Sequence, residues 1–181
     1  MERNEKGYEA LKRNLIDIVA EEQAKLGYRK EMIRLYYPLS SLNHFFDNTD
    51  SSEDMENRLK DFPDYTSTHF HIEKISHKDD RFCFCLSPDA SEYVYNNREK
   101  NEFLYQLIEL LQKPHTTSDA ITEFFRSWDS SCSIERIDTE DFDLLIRFVT
   151  RDDPYYYCFK DEGCHIIYHR FLPADYVDLN L

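Results

Sequence analysis

The sequence predicts an α+β fold, in which helices and one β-hairpin come first and an antiparallel sheet of consecutive hairpins comes last. The sheet is indicated by residues 142–171, where apolar and polar side chains alternate and two polar turns interrupt the pattern. The helices are indicated by apolar residues that recur every three or four positions, first in residues 5–26. Hairpins that are segregated from helices along the chain are typical of the α+β class.

The two turns in this C-terminal stretch predict which side chains are buried. A two-residue turn at Asp152-Asp153 would pair Thr150 with Tyr155, and a three-residue loop at 161–163, closed by a glycine, would pair its two flanking residues. Because side chains alternate along a strand, this register predicts one core face and one face that is exposed or only partly covered. The predicted core face consists of Phe142, Leu144, Ile146, Phe148, Tyr155, Tyr157, Phe159, His165, Ile167, His169 and Phe171.

The N-terminal half is predicted to contain four helices, a short strand and a hairpin. The helix at 5–26 ends at Gly27, a residue that suits the left-handed position after a helix. A strand is predicted at Ile33–Pro38, although residues 29–37 also fit a helix, and two short helices follow. The hairpin has Phe70, Ile72, Phe82, Phe84 and Leu86 as core candidates, which share one face if the loop at 77–81 has an odd length.

The remaining elements connect this hairpin to the sheet. Ser87-Pro88 predicts the start of a helix, since serine caps a helix and proline suits its first turn. Further helices are predicted through Phe103–Leu111 and from Ser118 to Trp128, followed by a strand at 132–137. A last turn or short helix is expected after Phe171.

Composition excludes several classes of function. The formal net charge of −14 disfavours binding to nucleic acid or anionic membranes. Only three glycines are present, so a phosphate-binding loop, a dinucleotide fingerprint or a nucleophile elbow cannot be built. The first residues lack the apolar core of a signal peptide and no segment approaches the ~20 apolar residues of a membrane helix. We therefore expect a cytoplasmic protein whose five cysteines are reduced thiols.

The element order of residues 1–97 resembles a winged-helix domain. The resemblance rests on that order and on the segments Pro38–Phe46 and Leu86–Ala90. It implies a winged-helix-like first domain and an α+β second domain at 98–181, with the helix at 53–62 in the position that enters the DNA major groove. That helix is acidic and would repel phosphates, so protein contact is expected rather than DNA binding.

The full length also resembles a small, uncharacterised bacterial family, a domain of unknown function. The segments that carry this resemblance are Tyr155–Phe159 and His165–Phe171. It implies no activity.

Three residues near the end of the chain are the candidates for catalysis. The predicted register places His165 and His169 on the core face beside Tyr155, where buried imidazoles bonded to tyrosine are the plainest interpretation. The alternatives are an acid–base pair tuned by burial and a metal site. Four residues along a strand span ~13 Å, which argues against one ion bound by both histidines. A nucleophilic Cys164 paired with His165 would require a bulge, because neighbouring residues on a strand point to opposite faces.

A second cluster suggests a zinc site on the first hairpin. With an odd loop, His69 and His71 would share a face with Cys83 and Cys85. Imidazole and thiolate together suit Zn²⁺. A solvated sheet face is the alternative, and an even loop would separate the histidines from the cysteines. No other cofactor is predicted.

These observations predict a non-catalytic binding or regulatory protein. Its 13 tyrosines and 13 phenylalanines suit either an aromatic-packed core or an aromatic-rich surface for a protein or peptide partner or for self-association. An aromatic-rich binding surface predicts an exposed Tyr/Phe patch of several hundred Å² or a sizeable dimer interface. A small metal- or His-dependent enzyme is the first alternative, and a DNA-binding regulator is the second.

Overall fold

The computed structural model describes residues 2–68, 70–97 and 102–178. The chain divides into two compact units, Met1–Lys100 and Asn101–Leu181, and the predicted boundary between residues 97 and 98 lies close to this division. Both units combine helices with an antiparallel sheet, which confirms the predicted α+β class. Among the described residues, no helix combines the length and apolar character needed to cross a membrane.

The first unit begins with a long helix and continues with a mixture of short helices and strands. Its elements are α1 (Glu2–Leu26), β1 (Ile33–Pro38), α2 (Leu39–Phe46), α3 (Ser52–Leu59), α4 (Phe62–Thr66), β2 (Ile72–Lys78), β3 (Arg81–Leu86) and α5 (Pro88–Asn97).

Local chemistry explains where several of these helices begin. The Ser51 side chain accepts a hydrogen bond from the main-chain N–H of Asp54, which caps α3. Ser87 Oγ accepts a bond from the N–H of Ala90, and Pro88 occupies the first turn of α5 as predicted.

The first sheet has the strand order β1-β3-β2, and all pairs are antiparallel. Its hairpin turn has two residues, since Lys78 pairs with Arg81, so the predicted five-residue loop is wrong. A bulge between Ile72 and Lys74 then shifts the register by one and brings Ile72 opposite Leu86. The two differences cancel, and the five predicted core residues of this hairpin are all buried.

One face of the first sheet packs against the helices. The apolar stripe of α1, including Leu11 and Leu15, is completely buried together with Phe62 and Phe84. Each such side chain contributes ~1.5–3 kcal/mol when it leaves water. Gly7 lets α1 approach α2, because a Cβ at that position would overlap the Phe46 ring.

The second unit places two helices before a four-stranded sheet and one short helix after it. Its elements are α6 (Glu102–Leu111), α7 (Ser118–Trp128), β4 (Ser133–Arg136), β5 (Leu144–Arg147), β6 (Tyr156–Asp161), β7 (Ile166–Phe171) and α8 (Pro173–Asp178). The strands follow each other in the order β4-β5-β6-β7, and every pair is antiparallel.

The β5–β6 pairing keeps the predicted faces. Ile146 pairs with Tyr157, two residues from the predicted register, because the connection is longer than a two-residue turn. An even shift leaves every side chain on its face. Leu144, Ile146, Tyr157 and Phe159 are therefore buried in the core that α6 and α7 cover.

The β6–β7 pairing contradicts the prediction. Asp161 pairs with Ile166, so the loop contains four residues and the register moves by an odd number. The N–H of Gly163 donates to Asp161 Oδ1 over 2.8 Å, and the N–H of Glu162 donates to the carbonyl of His165 over 3.0 Å. With these bonds the loop begins one residue later and ends two residues later than predicted, so β7 is turned over and its predicted core residues move to the other face.

That other face of the second sheet is also covered. Phe142 was predicted on the same face as Leu144, but it is buried on the opposite face, beside Leu145 and Cys158. The remaining residues that pack against this small core are Ile137, Tyr156, Phe171 and Tyr176 of α8. The second sheet therefore has apolar packing on both faces.

Candidate functional site

The three predicted catalytic residues do not form one site. His165 and His169 are both exposed, so their predicted burial is wrong. The imidazole of His169 stacks on Phe171 and meets Phe142 edge-on at 5.9 Å, on the face that carries Cys158. Tyr155 is buried in the opposite core, with the guanidinium of Arg170 4.2 Å from its ring centre.

Cys164 and His165 lie together at the tip of the last hairpin. Their Sγ and Nδ1 atoms are 3.1 Å apart, a contact that the four-residue loop allows because neither residue is part of a strand. Both side chains are exposed. Electrostatic catalysis relies on donors held in a water-excluded site, and this exposed tip provides no such enclosure.

The predicted zinc ligands are only partly placed by the structure. His69 lies outside the described residues. His71 is exposed, and its carbonyl accepts a hydrogen bond from the N–H of Ser87 over 3.1 Å. Cys83 and Cys85 lie on one face of β3, with their Sγ atoms 4.0 Å apart. Within the described residues, no three His, Cys, Asp or Glu side chains are placed to share a metal ion.

The two cysteines belong to the outer face of the first sheet, which turns away from the helical core. Three rows of paired residues cross this face from β1 through β3 to β2, and we call them the basic face. The rows are Arg34–Cys85–Lys74, Tyr36–Cys83–Ser76 and Pro38–Arg81–Lys78.

The basic face carries positive charge on an acidic chain. Four of its nine residues are cationic and exposed, and at these nine paired positions, all within the described residues, none is acidic. The nearest acidic residues along the strands lie outside the rows: Glu73 is in the bulge, and Asp79 and Asp80 form the turn. A chain of net charge −14 therefore has a local surface of the opposite sign.

Two shallow grooves border this region of the first unit. One, of about 510 Å³, opens on the basic face, and its lining includes Tyr36, Lys78, Arg81, Cys83 and the turn residue Asp79. The other, of about 470 Å³, runs between β2 and the helices α3 and α4. In the second groove the imidazole of His77 stacks on Phe82, so it is held in place by a core ring.

Thiol chemistry on the basic face depends on its neighbours. Loss of solvent around Cys83 raises the pKa of its thiol and the neighbouring Cys85 raises it further, against a hydrogen bond from Tyr36 and the positive charge of Arg34. The fully buried Cys158 has no such help, and burial raises the pKa of its thiol to about 12.

The predicted aromatic surface is sparse. Among the described residues no phenylalanine is exposed, and most rings lie in the cores of the two units. The exposed rings are tyrosines, with Tyr36 at 61%, Tyr65 at 39% and Tyr95 at 38% exposure. The aromatic content of the sequence is mainly a property of the cores, and Tyr36 on the basic face is the most exposed of these rings.

Sequence reasoning missed the four cations of the basic face. Lys78 and Arg81 lie inside the predicted loop at 77–81, and the predicted register placed Lys74 on the same side of its strand as Ile72. Finding the four cations would have required the two-residue turn and the bulge before Lys74.

A family model described as "Domain of unknown function, E. rectale Gene description (DUF3877)" matches residues 8–180. No curated protein and no solved structure matches the chain.

Proposed function

This chain belongs to the DUF3877 family, a domain of unknown function, and from that premise we propose that it is a non-catalytic binding protein. Its basic face holds an acidic segment of a partner protein. The observation that carries this proposal is the sign of the charge, since four exposed cations occupy one sheet face of a strongly acidic chain. Complementary charge steers partners together and rejects those of the wrong sign.

The strength of such binding follows from simple magnitudes. An exposed ion pair contributes ~0.2–1 kcal/mol, so four pairs supply about 1–4 kcal/mol. A micromolar complex requires about 8 kcal/mol. Burial of Tyr36 and of the two thiols against apolar atoms of the partner contributes the rest, at ~25 cal/mol for each Å² removed from water. The expected complex is transient and sensitive to salt.

An extended peptide suits this face. β1 is an edge strand of the described sheet, and a peptide strand added beside it would gain main-chain hydrogen bonds. Alternate side chains of that peptide would then lie next to Arg34 and Tyr36. We therefore expect a partner segment with acidic residues at every second position.

Nucleic acid suits the face less well. Tight binding to a duplex relies on release of counterions from many phosphates, and the basic face provides four cations on a chain whose remaining field repels phosphate. The helix α3 adds Glu53, Asp54 and Glu56 to that repulsion. A peptide with a few carboxylates encounters the local field with a smaller long-range penalty.

The test is a fluorescence anisotropy titration of the full chain against a labelled peptide of alternating glutamate and threonine. We expect saturable binding that weakens as salt increases. The double variant Arg34→Glu, Arg81→Glu should lose at least tenfold in affinity, because both exposed cations become repulsive.

Three controls make this result specific. A glutamine–threonine peptide should not bind. The matched variant Lys113→Glu, Arg126→Glu changes the net charge equally at exposed sites of the second unit and should bind like the wild type. An equal loss of affinity in both variants would mean that only the net charge matters, and this would contradict the proposal. Tighter binding of a DNA duplex than of the acidic peptide would also contradict it.

A further inference from the structure

Cys83 and Cys85 form a pair of adjacent thiols on the basic face. They are two residues apart on β3, on the same side of the sheet, and their Sγ atoms are in contact at 4.0 Å. Both side chains are half-buried, so solutes can reach them. Among the described residues, the other three cysteines, Cys132, Cys158 and Cys164, make no sulfur–sulfur contact.

The separation of the two sulfurs fits a shared metal ion. Two thiolates that bind one soft ion at ~2.3 Å each, with an angle of ~110–120° between them, lie ~3.8–4.0 Å apart. The observed 4.0 Å needs no rearrangement of the strand. An angle near the upper limit leaves a third position on the ion open to solvent.

A disulfide fits the same pair poorly. Residues two apart on an extended strand have Cα atoms ~6.6–6.8 Å apart, at the upper limit for a disulfide. Bringing the sulfurs from 4.0 Å to bonding distance would require β3 to bend. Since β3 is the central strand of the first sheet, that bend would disturb pairing on both sides.

The charges around the pair distinguish between metal ions. Cys85 lies between Arg34 and Lys74 in its row, and Arg81 is two residues from Cys83. Two thiolates with a monovalent ion carry a net charge of −1, which these cations stabilise. The same thiolates with a divalent ion are neutral and gain no such stabilisation, while the free ion is repelled twice as strongly. Soft sulfur ligands also select Cu(I).

We propose that Cys83 and Cys85 form a two-thiolate binding site for Cu(I). On binding, each thiol loses its proton to solvent and each sulfur forms one bond to the ion, with no change in oxidation state. The solvent-facing third position lets an external thiol exchange with the site. This inference goes beyond the proposed peptide binding, because it needs only the two thiols and the neighbouring charges.

The test is an anaerobic titration of the reduced full chain with Cu(I) held by the chromogenic chelator bicinchoninate. We expect the wild type to withdraw a single Cu(I) per chain. The variants Cys83→Ser and Cys85→Ser should each lose at least tenfold in affinity, whereas Cys164→Ser, which removes an exposed thiol elsewhere, should bind like the wild type.

Two further measurements keep the proposal falsifiable if a serine variant folds poorly. In the wild-type chain, Cu(I) should protect Cys83 and Cys85, but not Cys164, from iodoacetamide, as read by peptide mass spectrometry. The variant Arg34→Ala, Lys74→Ala should bind Cu(I) several-fold more weakly with both thiols intact. Three results would each overturn the proposal. They are protection confined to Cys164, serine variants that bind Cu(I) as tightly as the wild type, and tighter binding of Zn²⁺ than of Cu(I).

Discussion

The two units each contain an antiparallel sheet with helices on one face, and they differ in what lies on the other face. In the second unit the centre of the outer face is apolar, and α8 and neighbouring rings cover Leu145 and Cys158, while Glu135 and Arg147 of the same face are exposed beside it. In the first unit the outer face carries cations, a tyrosine and two half-buried thiols. The apolar centre of the second face is buried within its own unit, whereas the cations of the basic face are exposed.

The central cysteine of each outer face shows the same contrast. Cys158 and Cys83 both lie on inner strands of their sheets. The pKa of Cys158 is raised to about 12 by burial alone. The pKa of Cys83 is raised by desolvation and by Cys85, and Tyr36 and Arg34 act against the rise. The covered face shields its thiol from solvent, and the open face leaves its thiol within reach of solutes.

The largest expected effect is on stability, and it compares one residue from each of the two outer faces. Leu145→Ala removes a side chain that is 5% exposed and should cost ~2–5 kcal/mol. Tyr36→Ala removes one that is 61% exposed and should change stability by less than ~0.5 kcal/mol. Denaturant unfolding measures both, and Trp128, the single tryptophan, reports selectively on the second unit.

Similar losses in Leu145→Ala and Tyr36→Ala would mean that the two outer faces are equally buried. The contrast between the units would then be wrong.

The next effect concerns thiol reactivity. At pH 8 iodoacetamide should modify Cys164 and the Cys83–Cys85 pair at least ~100-fold faster than Cys158, because the thiolate is the reactive form. Exposure favours the reaction of Cys164, Cys83 and Cys85, and the pKa of Cys158 near 12 leaves almost no thiolate there. Timed quenching with peptide mass spectrometry measures each rate. Rapid labelling of Cys158 in the folded chain would show that α8 does not cover this face.

The sequence predicts the helices and strands better than it predicts the lengths of the loops between them. Ser87-Pro88 marks the start of α5 correctly, and alternation gives β1 its full extent at Ile33–Pro38. The β6–β7 loop differs from the prediction by one residue, since the Asp161 side chain accepts the Gly163 N–H. A single residue inverts a whole strand, which moved two candidate catalytic histidines into solvent.

The first hairpin shows the opposite case. Asp79 adopts a left-handed backbone at φ 51°, which permits a two-residue turn without glycine. The resulting error in register is reversed by the bulge before Lys74, so the predicted core survives. The basic face depends on the registers of three strands at once, and for that reason its four cations could not be assembled from any one segment.

The smallest expected effect is the acid sensitivity of the second unit. The carboxylate of Asp129 accepts bonds from the N–H and hydroxyl of Ser131 and from those of Thr150, which hold its pKa well below the usual range. Because the pKa of Asp129 is lower in the folded chain than in the unfolded chain, its carboxylate stabilises the fold above the unfolded-state pKa of ~3.9. That stabilisation is lost as the pH falls through the folded-state pKa.

The variant Asp129→Asn tests this contribution. Asparagine offers one acceptor oxygen in place of two, so the midpoint of thermal unfolding should fall by several degrees at neutral pH. The difference from the wild type should shrink below pH 4, where the wild-type contribution is itself being lost. Trp128 fluorescence during acid titration measures this convergence. A difference that stays constant down to pH 2 would assign the effect to geometry rather than to charge.

The most direct test of the binding account is to map the contact residues by NMR on the ¹⁵N-labelled full chain. Addition of the glutamate–threonine peptide should shift amide signals of β1, β2 and β3, centred on the row of Tyr36, Cys83 and Ser76, and leave those of the second sheet unchanged. Shifts centred on the groove between β2 and the helices α3 and α4, or on the second unit, would contradict the claim that the basic face is the binding surface.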